Sequence, residues 1–239
     1  MSGLGDPGHP RSGAALQRAA RETLAYLQLE LETIYGVEAP ALLPFLIGRA
    51  EARAAGATPS AREELLVLEE EGGVAIGLFL DEGVVAAAGL ADPHHPRPRL
   101  TRRPNLDRLA CAAEGVSHFI YLATRAERGR PVSLLELEVQ AEVDKFALLV
   151  LHLWRRRLRR MSPSLRRRLF ERIGYPAELG AEALERYQLA NRLAATYARW
   201  LEGRFVEDAD IDGLLRELRA SYRLGGGEKL AYLGTRALH

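Results

Sequence analysis

The amino-acid sequence predicts an α+β protein that is predominantly α-helical. Over most of its 239 residues, apolar side chains recur at spacings of three and four, the period of a helix that buries one face. At about residues 65–90 the period shortens to two, and glycines separate short apolar runs. We therefore expect a helical array centred on an antiparallel helix hairpin at about residues 105–160, with one small antiparallel β-meander at about residues 65–90.

The N-terminal part predicts a lead-in followed by two helices. Residues 1–12 are rich in glycine and proline and lack an apolar core of signal-peptide length, so we expect them to be disordered. The stretch AALQRAARETLAYLQLELETIYG has helical spacing, and Gly36 is a plausible stop. A second, shorter helix is expected in APALLPFLIGRAEARAAG, which is entered through prolines.

Three short runs predict the meander, with breaks at Gly72-Gly73 and at Glu82-Gly83. In the second run, apolar residues at every other position alternate with a second set of small and aromatic residues. The first set comprises Val74, Ile76, Leu78 and Leu80. This alternation is typical of a strand with one buried face, so we expect at least two strands here.

The remaining helices follow from their caps and breaks. Asn105 is a suitable N-cap for the first helix of the hairpin, which runs to about Glu127. Ser133 and Glu136 form a capping-box pattern for the second, which runs to about Arg160. A short basic helix and helices at about 181–203 and 210–224 follow. We expect one compact domain over residues 13–224 and a flexible C-terminal segment over residues 225–239.

Composition narrows the classes of function. The net charge of +1 argues against a whole-surface electrostatic grip on nucleic acid or anionic lipid. Cys111 is the only cysteine, which excludes an intrachain disulfide and a multi-thiolate zinc site. Lys145 and Lys229 are the only lysines among 33 basic residues, which indicates GC-rich bacterial coding. With no apolar run of about 18 residues, we expect a cytoplasmic protein with no membrane partner.

The predicted hairpin carries a stripe of polar side chains on each helix. The first stripe consists of Glu114, His118, Tyr121 and Arg125, which fall on one helical face. The second includes Glu138, Glu142 and Lys145. If the two helices fold back near Arg130, facing residue numbers sum to about 260. Glu114 then faces Lys145, His118 faces Glu142, and Arg125 faces Glu136.

Matched charges of this kind favour a structural seam between two helices. On this interpretation the protein is a non-enzymatic binding or scaffold protein, with a protein partner or a homo-oligomeric state, and needs no cofactor. The alternative is a metal-dependent or general-base enzyme, hydrolase-like in its chemistry. In that case Glu114, His118, Glu138 and Glu142 bind a divalent ion such as iron, zinc or manganese.

The general-base form of the alternative uses a different subset of the same residues. His118 would be held by Glu142, while Tyr121 or Arg125 orients an anionic substrate. The Lys145 ammonium argues against a metal because it competes for the Glu114 carboxylate. The Glu-x-x-x-His spacing also differs from the Glu-x-x-His motif of di-iron bundles. Common nucleotide-binding, hydrolase and metalloprotease motifs are absent from the sequence.

An arginine-rich stretch at residues 155–172 predicts a third kind of site. Its arginines could bind phosphate, nucleic acid or an acidic partner. The residues are Arg155, Arg156, Arg159, Arg160, Arg166, Arg167 and Arg168. The stretch holds only one aromatic residue, Phe170, so it offers no stacking platform for bases. Nucleic acid is therefore the least favoured partner.

Overall fold

A computed structural model describes residues 10–70, 73–85, 103–155, 162–171, 173–175 and 179–236. Within these ranges the main α-helices are α1 (Pro10–Tyr35), α2 (Arg49–Ala54), α3 (Arg103–Ala126), α4 (Leu134–Arg155), α5 (Ser162–Phe170), α6 (Ala181–Leu201), α7 (Ile211–Arg223) and α8 (Gly226–Thr235). The strands are β1 (Leu46–Ile47), β2 (Glu63–Glu70) and β3 (Gly73–Leu80). The predicted fold class is confirmed. None of the described helices is both long and apolar enough to cross a lipid bilayer.

The sheet is mixed, in the order β1–β3–β2. β2 and β3 form the predicted antiparallel hairpin, with Glu63 opposite Leu80. The third strand is not the predicted one: β1 pairs in parallel with β3, Leu46 opposite Leu78, and residues 82–85 are helical. Residues 86–90 lie outside the described ranges. A short apolar run fits a buried strand and a helix equally well, which is why periodicity misassigned residues 46–47.

α3 and α4 pack against each other as the predicted hairpin, and α3 also contacts α1, β2 and β3. Two ion pairs show the relative direction of α3 and α4. Lys145 Nζ lies 3.0 Å from Glu114 Oε2, and Arg125 lies 3.5 Å from Glu136 Oε1. Residue numbers therefore rise along one helix as they fall along the other, which makes the pair antiparallel. Both ion pairs are among those the sequence predicts.

α4 is enclosed because α3, α5, α6 and α8 all pack on it. Its apolar positions include Val139, Val143 and Phe146, each at most 3% exposed. Four of its charged residues are buried as well: Glu136, Glu138, Asp144 and Lys145. A buried charge is costly unless it is paired and hydrogen-bonded. The fold must therefore supply partners for a whole set of charged side chains along α4.

Helix ends agree with the sequence in part. Gly36 has φ of +63° and its N–H donates to Glu32 O at 2.8 Å, so it closes α1 as predicted. The N–H of Glu136 donates to Ser133 Oγ at 3.2 Å, half of the predicted capping box. The Glu136 carboxylate instead accepts from Tyr121 and from the N–H of Gly226. α3 begins at Arg103, two residues before the predicted cap.

The C-terminal segment differs from its prediction. The sequence GGGEK reads as a linker, yet Gly226–Thr235 forms α8, and Lys229 and Leu233 are each 1% exposed. Hydrogen bonds from α8 to side chains of α3 and α4 hold this helix, and such tertiary contacts leave no local signal in the sequence. At the other end, α1 begins at Pro10, inside the predicted lead-in, and residues 1–9 lie outside the described ranges.

Candidate metal centre

The charged faces of α3 and α4 meet β2 in one buried group of side chains, which we call the Glu–His–Lys cluster. Its members are Glu63, Glu114, His118, Glu138, Glu142 and Lys145. Gly115 lets the strand come close, since a Cβ atom there would lie 2.8 Å from Glu63 Cγ and 3.0 Å from Leu80 Cδ2. A glycine inside α3 therefore brings a strand carboxylate onto the helix pair.

His118 lies between two carboxylates. Its Nδ1 is 3.2 Å from Glu63 Oε1 and its Nε2 is 3.6 Å from Glu138 Oε2. The side chain is only 7% exposed, and Nε2 has no hydrogen-bond partner among the described residues. Burial opposes the charged imidazolium, but Glu63 and Glu138 outweigh it and raise the pKa of His118 well above its ordinary value.

Lys145 joins the two helices. Its ammonium donates to Glu114 Oε2 at 3.0 Å and to Glu142 Oε1 at 2.8 Å. Burial would lower the pKa of Lys145, but the two carboxylates outweigh burial and raise it, so the ammonium stays charged. Burial also opposes ionisation of Glu114, and Lys145 followed by His118 overcomes it, so the pKa of Glu114 is lowered.

The cluster carries more negative than positive charge. Four carboxylates face one ammonium and one imidazole, which leaves a net charge of −2 even when His118 is protonated. Burial, together with neighbouring carboxylates, raises the pKa values of Glu63 and Glu142 despite their cationic partners. Burial raises the pKa of Tyr187 on α6, and the carboxylates of Glu138, Glu114 and Glu63 raise it further. The arrangement favours an added cation.

Three members of the cluster converge as metal ligands would. Glu114, His118 and Glu138 each offer one ligand atom, and these atoms lie within 4.8 Å of one another. Zinc or iron bonded at about 2.1 Å holds neighbouring ligands about 3 to 3.5 Å apart. Side-chain rotations that move the atoms by about 1 Å would close this gap. One imidazole with carboxylates is a donor set suited to iron, zinc or manganese.

The structure brings together part of the predicted site and separates the rest. Glu114, His118 and Glu138 converge, while Glu142 bonds to Lys145. His118 pairs with Glu138, one helical turn before the predicted Glu142, and with Glu63. Glu63 is the ligand candidate that sequence reasoning missed, because nothing in β2 indicates which helix it covers. A signal did exist at Gly115, a glycine in mid-helix beside the stripe.

Tyr121 and Arg125 belong to a separate buried group, which we call the Tyr121 network. The Tyr121 hydroxyl donates to Glu136 Oε1 at 2.5 Å and accepts from Arg125 at 2.6 Å and from Lys229 Nζ at 2.9 Å. Arg125 also donates to the carbonyl oxygens of Tyr222 and Leu224. The network ties the C-terminal helices to the hairpin, so these two residues hold the fold together.

The arginine-rich stretch is only partly available to a partner. Arg155 lies 2.6 Å from Glu30, and Arg166 lies 3.0 Å from Glu202 and 3.3 Å from Glu171. Arg167 and Arg168 are exposed on α5. The other three predicted anion-binding residues lie outside the described ranges: Arg156, Arg159 and Arg160. Internal ion pairs thus occupy two of the four described arginines.

We expect Gly115→Ala to loosen the contact between β2 and α3. The added Cβ would lie 2.8 Å from Glu63 Cγ, an atom close to the strand backbone and not at the flexible end of the side chain. The free energy of unfolding should fall by about 1–3 kcal/mol, the usual cost of overpacking. Gly227→Ala in α8 is the control, since nothing lies within 4 Å of its Cβ position. Urea unfolding of both variants measures the difference, and equal stabilities would contradict this description of the contact.

Comparison of the chain with protein-family models, curated proteins and solved structures finds no match. The features that bear on function are therefore those of the Glu–His–Lys cluster itself: its burial, its excess negative charge and its converging ligand atoms.

Proposed function

We propose that this protein binds a divalent transition-metal ion, iron, zinc or manganese, through Glu114, His118 and Glu138. The observation that carries the proposal is His118 Nε2, which is buried without a hydrogen-bond partner among the described residues and lies 3.6 Å from Glu138 Oε2. Buried polar atoms in folded proteins almost always have a partner. A metal ion at this nitrogen would provide one.

The other nitrogen of His118 supports the same proposal. Metal-binding histidines usually donate their second N–H to a carboxylate, which fixes the tautomer and orients the ring. Here Nδ1 lies 3.2 Å from Glu63 Oε1, the position such a partner takes. Binding at Nε2 would replace a proton by a divalent ion, which changes the net charge of the cluster from −2 to −1. Metal binding therefore reduces the buried charge.

Three protein ligands also fit a catalytic site better than a structural one. Structural zinc sites are closed by four protein ligands, whereas catalytic sites keep a position for water or substrate. The Glu114 side chain is 22% exposed, more than the other proposed ligands, so the position for water would lie on its side of the centre. We propose metal-dependent, hydrolase-like activation of water as the reaction class.

Calorimetric titration of metal-free protein with Zn²⁺ and Mn²⁺ tests the proposal. Wild type should bind one ion per chain, and His118→Ala and Glu138→Gln should each weaken binding at least tenfold. Glu127→Gln, which changes an exposed carboxylate directly after the end of α3, should bind as wild type does. Circular dichroism confirms that each variant is folded. Absence of binding by wild type, or equal binding by all four proteins, would contradict the proposal.

A binding or scaffold role is the second candidate function. The observation in its favour is the double ion pair of Lys145, which links α3 and α4 without a metal. On this proposal the protein acts in the cytoplasm with a protein partner or as a homo-oligomer. His118→Ala would then lower the melting temperature while metal-binding measurements show no signal in either protein. The titration above therefore distinguishes the two candidates.

A further inference from the structure

We infer that the Lys145 ammonium takes the place of a second metal ion in the Glu–His–Lys cluster. The centre therefore binds one metal ion, whereas the similar donor set of di-metal carboxylate bundles binds two. The inference rests on the proposed function, since it concerns the number of ions that the centre binds. It assigns Lys145 as the residue that sets this number.

The position of the ammonium carries the inference. Lys145 Nζ bonds to one oxygen of Glu114 at 3.0 Å and to one oxygen of Glu142 at 2.8 Å, and its side chain is 11% exposed. Glu114 also belongs to the converging triad. One carboxylate is therefore shared by the proposed metal position and the ammonium, as a carboxylate can be shared by two metal ions about 3.5–4 Å apart.

The donors around the centre would serve two ions. Four glutamates and one histidine approach the six-residue set of di-metal carboxylate bundles, which has four glutamates and two histidines. Lys145 stands among these donors, and two of the four carboxylates bond to it. A second divalent ion at Glu114 and Glu142 would have to displace this ammonium or lie against it.

The charge of the cluster shows what removal of Lys145 would change. With neutral His118, four carboxylates, one ammonium and one divalent ion give a net charge of −1, and a second ion would make it +1. Without Lys145, two divalent ions neutralise the four carboxylates. Glu142 Oε2 is buried and has no hydrogen-bond partner within the described ranges, so it is placed to accept a second ion once the ammonium is gone.

Metal content per chain, measured by elemental mass spectrometry after loading with Mn²⁺ and removal of free ion, tests the inference. We expect one ion in wild type, two in Lys145→Met and one in Lys145→Met/Glu142→Gln, which lacks a ligand for the second ion. Two adjacent Mn²⁺ ions should also produce an exchange-coupled electron paramagnetic resonance spectrum in Lys145→Met alone.

Other outcomes distinguish the role of Lys145 from the proposed metal centre itself. One ion in both wild type and folded Lys145→Met, or two ions in wild type, would overturn the role of Lys145 and leave the metal centre standing. No ion in wild type would overturn the proposed function and this inference with it. If Lys145→Met fails to fold, Lys145→Gln decides, because it removes the charge and keeps an N–H donor between the two glutamates: two ions support the inference, and one ion overturns it.

Discussion

Arg125→Leu is expected to lower the free energy of unfolding by about 3 to 5 kcal/mol, the usual effect of removing one partner from a buried ion pair. Arg125 is 2% exposed, and its partner Glu136 is 1% exposed. The substitution leaves the Glu136 carboxylate buried without its guanidinium. It also leaves the carbonyl oxygens of Tyr222 and Leu224 without a donor that links α7 and its C-terminal end to α3.

Arg128→Leu is the matched control for Arg125→Leu. Arg128 follows Arg125 by three residues and is exposed, so its replacement should change stability by less than about 0.5 kcal/mol. Urea unfolding at pH 7, followed by circular dichroism, measures both variants. A loss at Arg125 no larger than that at Arg128 would show that the Tyr121 network does not hold the C-terminal helices, and would reopen a catalytic role for Arg125.

Lys229 is expected to make stability rise with pH above neutrality. Burial lowers the pKa of Lys229 to about 7, although Asp144 partly offsets it, while the ordinary lysine value is 10.5. Below pH 7 both the folded and unfolded states carry the proton. Between about pH 7 and 10 only the unfolded state does, so each pH unit adds up to about 1.4 kcal/mol to the free energy of unfolding.

Lys229→Met isolates this effect because the other titrating groups are common to both proteins. The stability advantage of wild type over the variant should grow from pH 7.5 to 9.5, which urea unfolding at several pH values measures. The partners lost in the variant are Tyr121 and Gln140, which accept hydrogen bonds from Lys229. A difference between the two proteins that stays constant with pH would show that Lys229 keeps its proton in the folded state.

Helix geometry was sufficient to predict much of the hairpin. Positions on one helical face follow from 100° per residue, and a fold-back near Arg130 fixes which residues face each other. Glu114–Lys145 and Arg125–Glu136 are observed as predicted. The prediction failed at His118, whose carboxylate on α4 is Glu138, one turn from the predicted Glu142. A register sum treats the helices as parallel cylinders and cannot place their crossing point within one turn.

Features that depend on distant parts of the chain could not be predicted from the sequence. Glu63 reaches His118 from a strand 55 residues earlier, and Lys229 reaches Tyr121 from a helix 108 residues later. In both cases the local sequence gives propensity and periodicity but does not identify the surface that the element covers. For the same reason, the sequence could not show that the predicted stripe divides into two groups. Glu114 and His118 lie in one group, and Tyr121 and Arg125 lie in the other.

The most direct test of the proposed function is the metal content of the protein purified without a histidine tag, measured by elemental mass spectrometry beside His118→Ala. We expect close to one iron, zinc or manganese ion per wild-type chain and a large loss in the variant. The proposed function would be contradicted if the wild-type protein held no metal and took none up, and the variant were only less stable. The Glu–His–Lys cluster would then be a structural link between α3, α4 and β2.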